Sequence, residues 1–270
     1  MRRATRARIA LAFSGVCVLA LAVGFGVLAF LHGRAASVSP VPDAQAIEDA
    51  PTADGSGFPD VDWEAWRPIN PDVIGWITIP GTPVDYPIVQ APADDPTYYL
   101  KHDVYRKPNY MGCPYLDADC AEGGLLGSAN AVVFGHNLGF GDTSMFNAVA
   151  SYTDASFAQE HRRVLLQTPD GRREFEVQAA DCKGGGEAQK RTRFDGEADF
   201  GQWYADRLTE SDMRLTDKVV DSPIVTLCTC SYNRWADNER TVVYAAPSGA
   251  GLLDGASEGP SEEPQVGGSL

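Results

Sequence analysis

This sequence predicts a mostly β fold, its sheet closed or nearly closed, with a few short helices at its edge. Three observations predict it. Short apolar or alternating runs recur from Val73 to Ala246, punctuated by Pro, Gly, Asp and Asn. Stretches with helical spacing are few. The chain contains no internal repeat, no GxGxxG and no P-loop, so a set of short strands closing on itself is the simplest architecture.

The chain begins with Arg2, Arg3, Arg6 and Arg8, followed by 23 uncharged residues from Ile9 to Leu31. That run is long enough to cross the hydrocarbon core of a bilayer as one helix. The basic residues before it place its N-terminal end in the cytoplasm and all that follows outside. A cleaved signal peptide is the alternative, but its apolar region runs to about 7–15 residues, and no clean A-x-A site follows Leu31. The chain thus divides into a cytoplasmic N-terminus (1–8), a single-pass membrane anchor (9–31), an extracellular stalk (32–60), a catalytic domain (61–247) and a disordered acidic tail (248–270). The Pro-, Ala-, Asp- and Ser-rich composition of 37–57 defines the stalk, and the Gly-, Ser-, Glu- and Pro-rich end has nothing to bury.

Within the domain, Asp62–Trp66 suits a short docking helix. Val73–Ile79 and Val84–Gln90 read as strands around a Pro-Gly break, and Tyr98–Val104 carries no firm assignment. Residues 109–130 read as an exposed loop with a short strand at Tyr115–Leu116. Ala131–Gly135 is a buried-type strand. Ser144–Tyr152 and Ser156–His161 fit short helices, and Val164–Thr168 and Glu174–Ala180 are strands joined at Pro169-Asp170-Gly171. Asp199–Leu208 fits a helix with aromatic residues on one face. A final hairpin covers Pro223–Ala246.

The formal charge is −15, and beyond Leu31 it is 18 basic against 37 acidic side chains, a net −19. No basic face offsets this, so nucleic acid is excluded as a partner. Of the six cysteines, Cys17 lies in the membrane segment and Cys182 has no evident partner. Cys113 and Cys120 flank a short loop and are open to a local disulfide in an oxidising exterior. Cys228 and Cys230 lie two apart on one strand, where a bridge would be strained. A disulfide scaffold is not required.

Thiol catalysis on an acyl group needs a thiolate, a proton donor for the leaving group and a donor for the developing oxyanion. Cys230 ends a strand, where a side chain can meet substrate, whereas Cys228 is inside it and suits packing. Arg240 opens the next strand and aligns with Cys230 across the hairpin. Arg234 is in mid-loop beside Trp235 and Asp237, as a solvated or locally paired charge. Of the four histidines, His32 abuts the membrane, while His102 and His161 sit among charged residues. His136 ends a strand and leaves its side chain at the rim of the sheet. Cys228, Thr229, Ser231 and Asn137 are the candidate substrate-binding neighbours.

The pattern Thr226-Leu227-x-Thr229-Cys230, with Arg240 ten residues after the cysteine in ERTVVY, resembles the signature of the sortases. VVFGHN around His136 is similar to their histidine motif. INPDVIGWITIPGTPVDYPIVQ, YYLKHDVY and the SMF after the histidine are similar to class B sortases in particular. The resemblance spans about Trp63 to Ala246. It implies an eight-stranded sortase-type β-barrel with N-terminal helices and a helix before the nucleophile strand, where Asp199–Leu208 falls. It implies a membrane-anchored cysteine transpeptidase on the outer face of a Gram-positive cell, with no cofactor or metal. In that scheme Cys230 attacks a carbonyl in the C-terminal sorting signal of an exported protein, and His136 protonates the departing amine. Arg240 stabilises the oxyanion, and an amine of peptidoglycan or a pilin lysine resolves the acyl-enzyme. The chain departs from the family at Cys228, where a serine is usual, and in the Cys113–Cys120 loop.

Other chemistries predict different behaviour. A cysteine endopeptidase would release the acyl group to water, though the papain order places the cysteine before the histidine, the reverse of His136 and Cys230. A thiol–disulfide exchanger would need both Cys228 and Cys230. A metal site of Cys113, Cys120, Cys228 and Cys230 fits no common zinc spacing. A non-catalytic binding module would retain its activity without His136 or Arg240.

Overall fold

Short apolar strands, several of them buried on consecutive residues, close the sheet on itself. The computed structural model describes residues 55–139, 141–185, 190–220, 223–234 and 238–249. The expected anchor 9–31, the cytoplasmic residues 1–8, most of the stalk and residues 250–270 lie outside the described residues. Among the described residues no helix is long and apolar enough to cross a membrane.

The strands are β1 (Val73–Thr78), β2 (Asp85–Gln90), β3 (Tyr115–Leu116), β4 (Asn130–Phe134), β5 (Arg163–Thr168), β6 (Gly171–Gly184), β7 (Met213–Arg214), β8 (Ile224–Ser231) and β9 (Glu239–Pro247). They pair in the order β5–β1–β2–β3–β4–β8–β9–β6, and β6 pairs back onto β5, so eight strands form a closed barrel. The short β7 joins the edge of β6 that β5 leaves open. Two ring contacts are parallel, β2 with β3 and β4 with β8. The others are antiparallel.

Strand periodicity sorts the side chains into an interior and an outer face. Ile77, Ile88, Leu116, Val133, Leu166, Val177, Leu227 and Val243, one from each ring strand, are fully buried in one interior cluster. Removing each from water contributes about 1.5–3 kcal/mol against the entropy of ordering the chain. Between β1 and β2 the predicted Pro-Gly break is a tight turn, with Ile79 N–H donating to Val84 O (2.8 Å) and Gly81 at φ +80°.

Two outer layers cover part of the barrel. Helix α1 (Trp63–Ile69), capped by Asp62, whose carboxylate accepts from Ala65 N (3.0 Å), packs Trp66 with Trp76, Val89, Tyr99, Val104, Cys113 and Tyr115. Two short helices follow, α2 (Gly124–Gly127) and α3 (Ala155–Glu160). Helix α4 (Glu197–Glu210) buries Phe200, Tyr204 and Leu208, four residues apart and so on one face, against Cys228, Val242 and Tyr244. The aromatic face predicted for 199–208 is this buried face.

Three expectations need correction. Residues 109–130 are not an exposed loop, because Met111, Cys113, Tyr115, Leu116, Cys120 and Leu125 are all buried. Their apolar content outweighs the Gly and Asp residues that suggested exposure. Cys113 and Cys120 form no disulfide. They serve different clusters, with the Cys113 thiol donating to Pro87 O and the Cys120 thiol to Asn130 O. The last residues assigned to the stalk lie on the barrel: Phe58 is buried, Gln167 Nε2 donates to Pro59 O (2.9 Å) and Arg163 Nη2 to Ser56 O (3.0 Å).

Asn70, wholly buried, locks α1 to the segment after β2. Its Nδ2 donates to Tyr99 Oη (2.9 Å) and Val104 O (2.8 Å), and its Oδ1 accepts from Asp72 N (3.0 Å). Asn70→Ala leaves these groups without their partner and is expected to cost about 2–3 kcal/mol of stability, measured by urea unfolding.

Candidate active site

The site is built by strand register. β4 and β8 run parallel with Phe134 opposite Cys228. The alignment continues one residue further, because Gly135 N–H donates to Cys228 O (3.2 Å) and Thr229 Oγ1 donates to Gly135 O (2.8 Å). Two residues beyond the aligned pair, on the outer face of each chain, stand His136 and Cys230. On the other side of β8, Cys230 is the direct cross-strand partner of Arg240 on β9. One rim of the barrel thus brings together the three residues singled out in the sequence, all of them half-buried.

His136 is held from above. Its Nε2 donates to Leu100 O (2.9 Å), which fixes the proton of the neutral ring on that nitrogen and leaves Nδ1 as the ring's acceptor. Gly112, at φ +64°, lies against the ring, and a Cβ there would sit 3.0 Å from His136 Cδ2 and 2.5 Å from Tyr99 O. Both the conformation and the close approach require glycine. The backbone oxygen of His136 accepts from Phe146 N (2.8 Å). Arg240 Nη1 donates to Glu239 O (2.8 Å), which ties one end of the guanidinium to its own strand.

Cys228 is buried beneath α4, and desolvation pushes its thiol up to about 12, with the Arg240 charge pulling the other way and Cys230 adding to the rise. It is a packed thiol two residues from the half-buried Cys230, a poor partner for an exchange pair. It also forms part of a hollow of about 70 Å³ that continues the outer face away from Cys230, between Val132, Phe134, Val242, Tyr244 and Trp203 of α4. The polar groups of Asn130, Thr226 and Lys190 here are already engaged. Asn130 accepts from Thr226 Oγ1 (2.7 Å) and donates to Arg191 O (2.8 Å), and Lys190 bridges Asp117 (2.7 Å) and Asp119 (2.9 Å). A larger hollow at the start of α4, about 290 Å³ and lined by Phe194, Phe200 and Pro223, includes none of the three rim residues.

Three of the expected substrate-binding residues turn away from this groove. Thr229 and Ser231 are one residue out of phase with Cys230 and are buried on the opposite face. Asn137 is buried too, its Oδ1 accepting from Gly139 N (3.0 Å) and Asn147 Nδ2 (3.1 Å). Cys228 alone of the four lines the groove. His161 caps α3 and its Nδ1 meets Pro80 O, while His102 stacks on Tyr98. Arg234 pairs with Asp212 (2.8 Å). Among the described residues, no three His, Cys, Asp or Glu side chains gather as a metal site. Sequence reasoning missed Leu100 and Gly112, which act through a backbone oxygen and the absence of a side chain. It also missed Lys190 and Trp203, which reach the groove only through the fold.

A partly exposed thiol beside an imidazole and a guanidinium, with its nearest cysteine sealed in apolar packing, belongs to a cysteine acyl-transfer enzyme. A model of the Sortase family, described as Sortase domain, matches residues 77–248, and the chain belongs to that family. It is 27% identical to Sortase B of Staphylococcus aureus over 187 residues, 68% of this chain and 73% of that protein. It is 27% identical to Sortase B of Listeria monocytogenes over 205 residues, 74% and 80% respectively. The solved structure of Clostridium perfringens sortase B matches with a TM-score of 0.62 at 25% identity, covering 69% of this chain and all of that one. The Staphylococcus aureus sortase B–substrate complex matches with a TM-score of 0.60 at 26% identity, covering 68% and 83%. The chain is accordingly a cysteine transpeptidase with class B relatives.

Iodoacetamide at pH 8 is expected to label Cys230 in the folded protein and to leave Cys228 unlabelled until denaturant is added, because only the former is both accessible and free of the apolar layer. Peptide mapping by mass spectrometry reads the two sites separately.

Proposed function

We propose that this protein is a membrane-anchored class B sortase that cleaves the C-terminal sorting signal of exported proteins and joins the new terminus to an amine of peptidoglycan or of a pilin lysine. The observation that carries the reading is the register that lines up His136, Cys230 and Arg240 at one rim. Residues 9–31 supply the anchor and set the catalytic domain on the outer face of the cell.

In the first half-reaction Nδ1 of His136 takes the proton of the Cys230 thiol, and the resulting thiolate attacks the carbonyl carbon of the scissile peptide. The oxygen takes up the negative charge, which Arg240 meets with the guanidinium donors not used on Glu239 O. The C–N bond breaks, and the departing amine takes a proton from Nδ1 of His136, leaving a thioester on Cys230. In the second half-reaction His136 Nδ1 accepts a proton from the incoming amine, which attacks the thioester. A new amide forms, and the Cys230 thiolate leaves. The hydrogen bond from Nε2 to Leu100 O keeps the same nitrogen facing the reaction in both halves.

The peptide lies along the outer face of β4, β8 and β9, the direction in which the hollow over Cys228 continues. That hollow is walled by Phe134, Trp203, Val242 and Tyr244, with Asn130, Thr226 and Lys190 paired to protein groups, and it takes an uncharged side chain. A solved Sortase B structure complexed with triglycine, matched at a TM-score of 0.57 and 27% identity, supports a short amine-bearing peptide as the acceptor class.

The test is to incubate the protein with sorting-signal peptides, with and without a nucleophilic amine. Transfer product is expected to depend on the amine, to vanish in Cys230→Ala, and to fall by about 10²–10⁴ in His136→Ala and about 10²–10³ in Arg240→Ala. Cys228→Ser is expected to keep substantial activity. Hydrolysis indifferent to any amine would instead identify an endopeptidase, and loss of activity in Cys228→Ser an exchanger.

A further inference from the structure

A buried carboxylate lies under the rim and takes no part in the reaction just described. Glu239 is wholly buried and forms the last rung of the β8–β9 ladder with Ser231, next to the rung of Cys230 and Arg240. It faces the other side of the sheet from Cys230, with Thr229 and Thr241, both buried, on the same face. An ionised carboxylate taken out of water is costly unless its oxygens are satisfied. Here Oε1 accepts from Asn233 N and Oε2 from Arg234 N, each at 2.6 Å. Two consecutive backbone N–H groups make a nest for the anion, and such charge-assisted bonds are about twice as strong as neutral ones. The Cys182 thiol on β6 also meets this carboxylate, and burial, followed by that contact, pushes it up to about 11.

The connectivity gives these bonds their consequence. Asn233 and Arg234 follow Cys230 by three and four residues, and Glu239 immediately precedes Arg240. One side chain therefore ties the exit of the nucleophile strand to the entry of the arginine strand. The backbone oxygen of the same Glu239 accepts from Arg240 Nη1 (2.8 Å), so the residue holds the guanidinium as well. The loop has a second anchor, because Arg234 pairs with Asp212 (2.8 Å), whose carboxylate accepts from Cys182 N (2.8 Å). Terminal rungs of a ladder open most readily unless something holds them.

We infer that Glu239 is a positioning residue for acyl transfer: its carboxylate closes the end of the β8–β9 hairpin and keeps Arg240 in register with Cys230 as charge develops on the substrate oxygen. This rests on the roles proposed above for Cys230 and Arg240. Glu239→Gln keeps the shape but turns an amide NH₂ toward one of the two backbone N–H groups.

The experiment measures amine transfer in the wild type and in Glu239→Gln, each with Arg240 present and with Arg240→Lys. With Arg240 present, kcat is expected to fall roughly 10- to 100-fold, with KM and the iodoacetamide labelling rate of Cys230 changed by less than about two-fold. In the Arg240→Lys background the further loss is expected to shrink to within about two-fold, since the group being held is already altered. Should Glu239→Gln fail to fold, Glu239→Asp, which keeps the charge and retracts it by one methylene, is read by the same comparisons. An unchanged kcat, or an equal fold-loss in both backgrounds, overturns the inference while leaving the transpeptidase reading intact. A wild-type protein that forms no transfer product overturns both.

Discussion

The parallel pairing of β4 with β8 holds the two halves of the site together. Asn130 pairs with Ile224 and Phe134 with Cys228, so partners lie 94 residues apart in the chain. A parallel pair cannot be made by a hairpin, and everything between these strands, including β5, β6, β7 and α4, must be laid down before they meet. No local segment can assemble His136 with Cys230. The cysteine–arginine pair, by contrast, comes from a hairpin. The site is thus half local and half a product of barrel closure, and the long-range half is costly in loop entropy.

The two outer layers decide what the rim can do. The layer of α1 and the segment after β2 reaches His136 through Leu100 and Gly112, and the layer of α4 seals Cys228 and walls the groove. Phe134 is packed against the interior cluster and both outer clusters at once, and it lies between them. Just beyond it the cover ends, and His136, Cys230 and Arg240 are half-exposed. The contrast between Cys228 and Cys230 follows from this edge. Two thiols on one strand and one face differ because α4 covers the first and stops short of the second.

Most of the strands were legible in the sequence, because short apolar or alternating runs bounded by turn residues are written directly over β1, β2, β5, β6, β8 and β9. The two-residue β7 was not, although the equally short β3 was expected at Tyr115–Leu116, because Met213-Arg214 offers a single apolar residue to mark it. Residues 109–130 misled because Gly, Asp and Cys suggested a loop, whereas Met111, Cys113 and Leu116 are pulled inward by clusters formed elsewhere in the chain. The placement of Cys230, His136 and Arg240 at strand ends was legible from the hairpin and its spacing. Thr229 and Ser231, expected in the groove, were nearest to Cys230 in sequence but on the wrong side of the pleat. Asn137 is consumed by the turn it belongs to. The hold on His136 was invisible, because a backbone oxygen and a missing Cβ leave no signature in residue types.

One thiol, Cys230, is assigned to carry the acyl group at the rim where the two outer layers end. Intact-mass spectrometry of the protein with a sorting-signal peptide and no amine isolates that step. An adduct of the acyl fragment is expected, mapping to Cys230 and discharged on adding amine. An adduct mapping to Cys228, or one that persists in Cys230→Ala, would contradict the assignment.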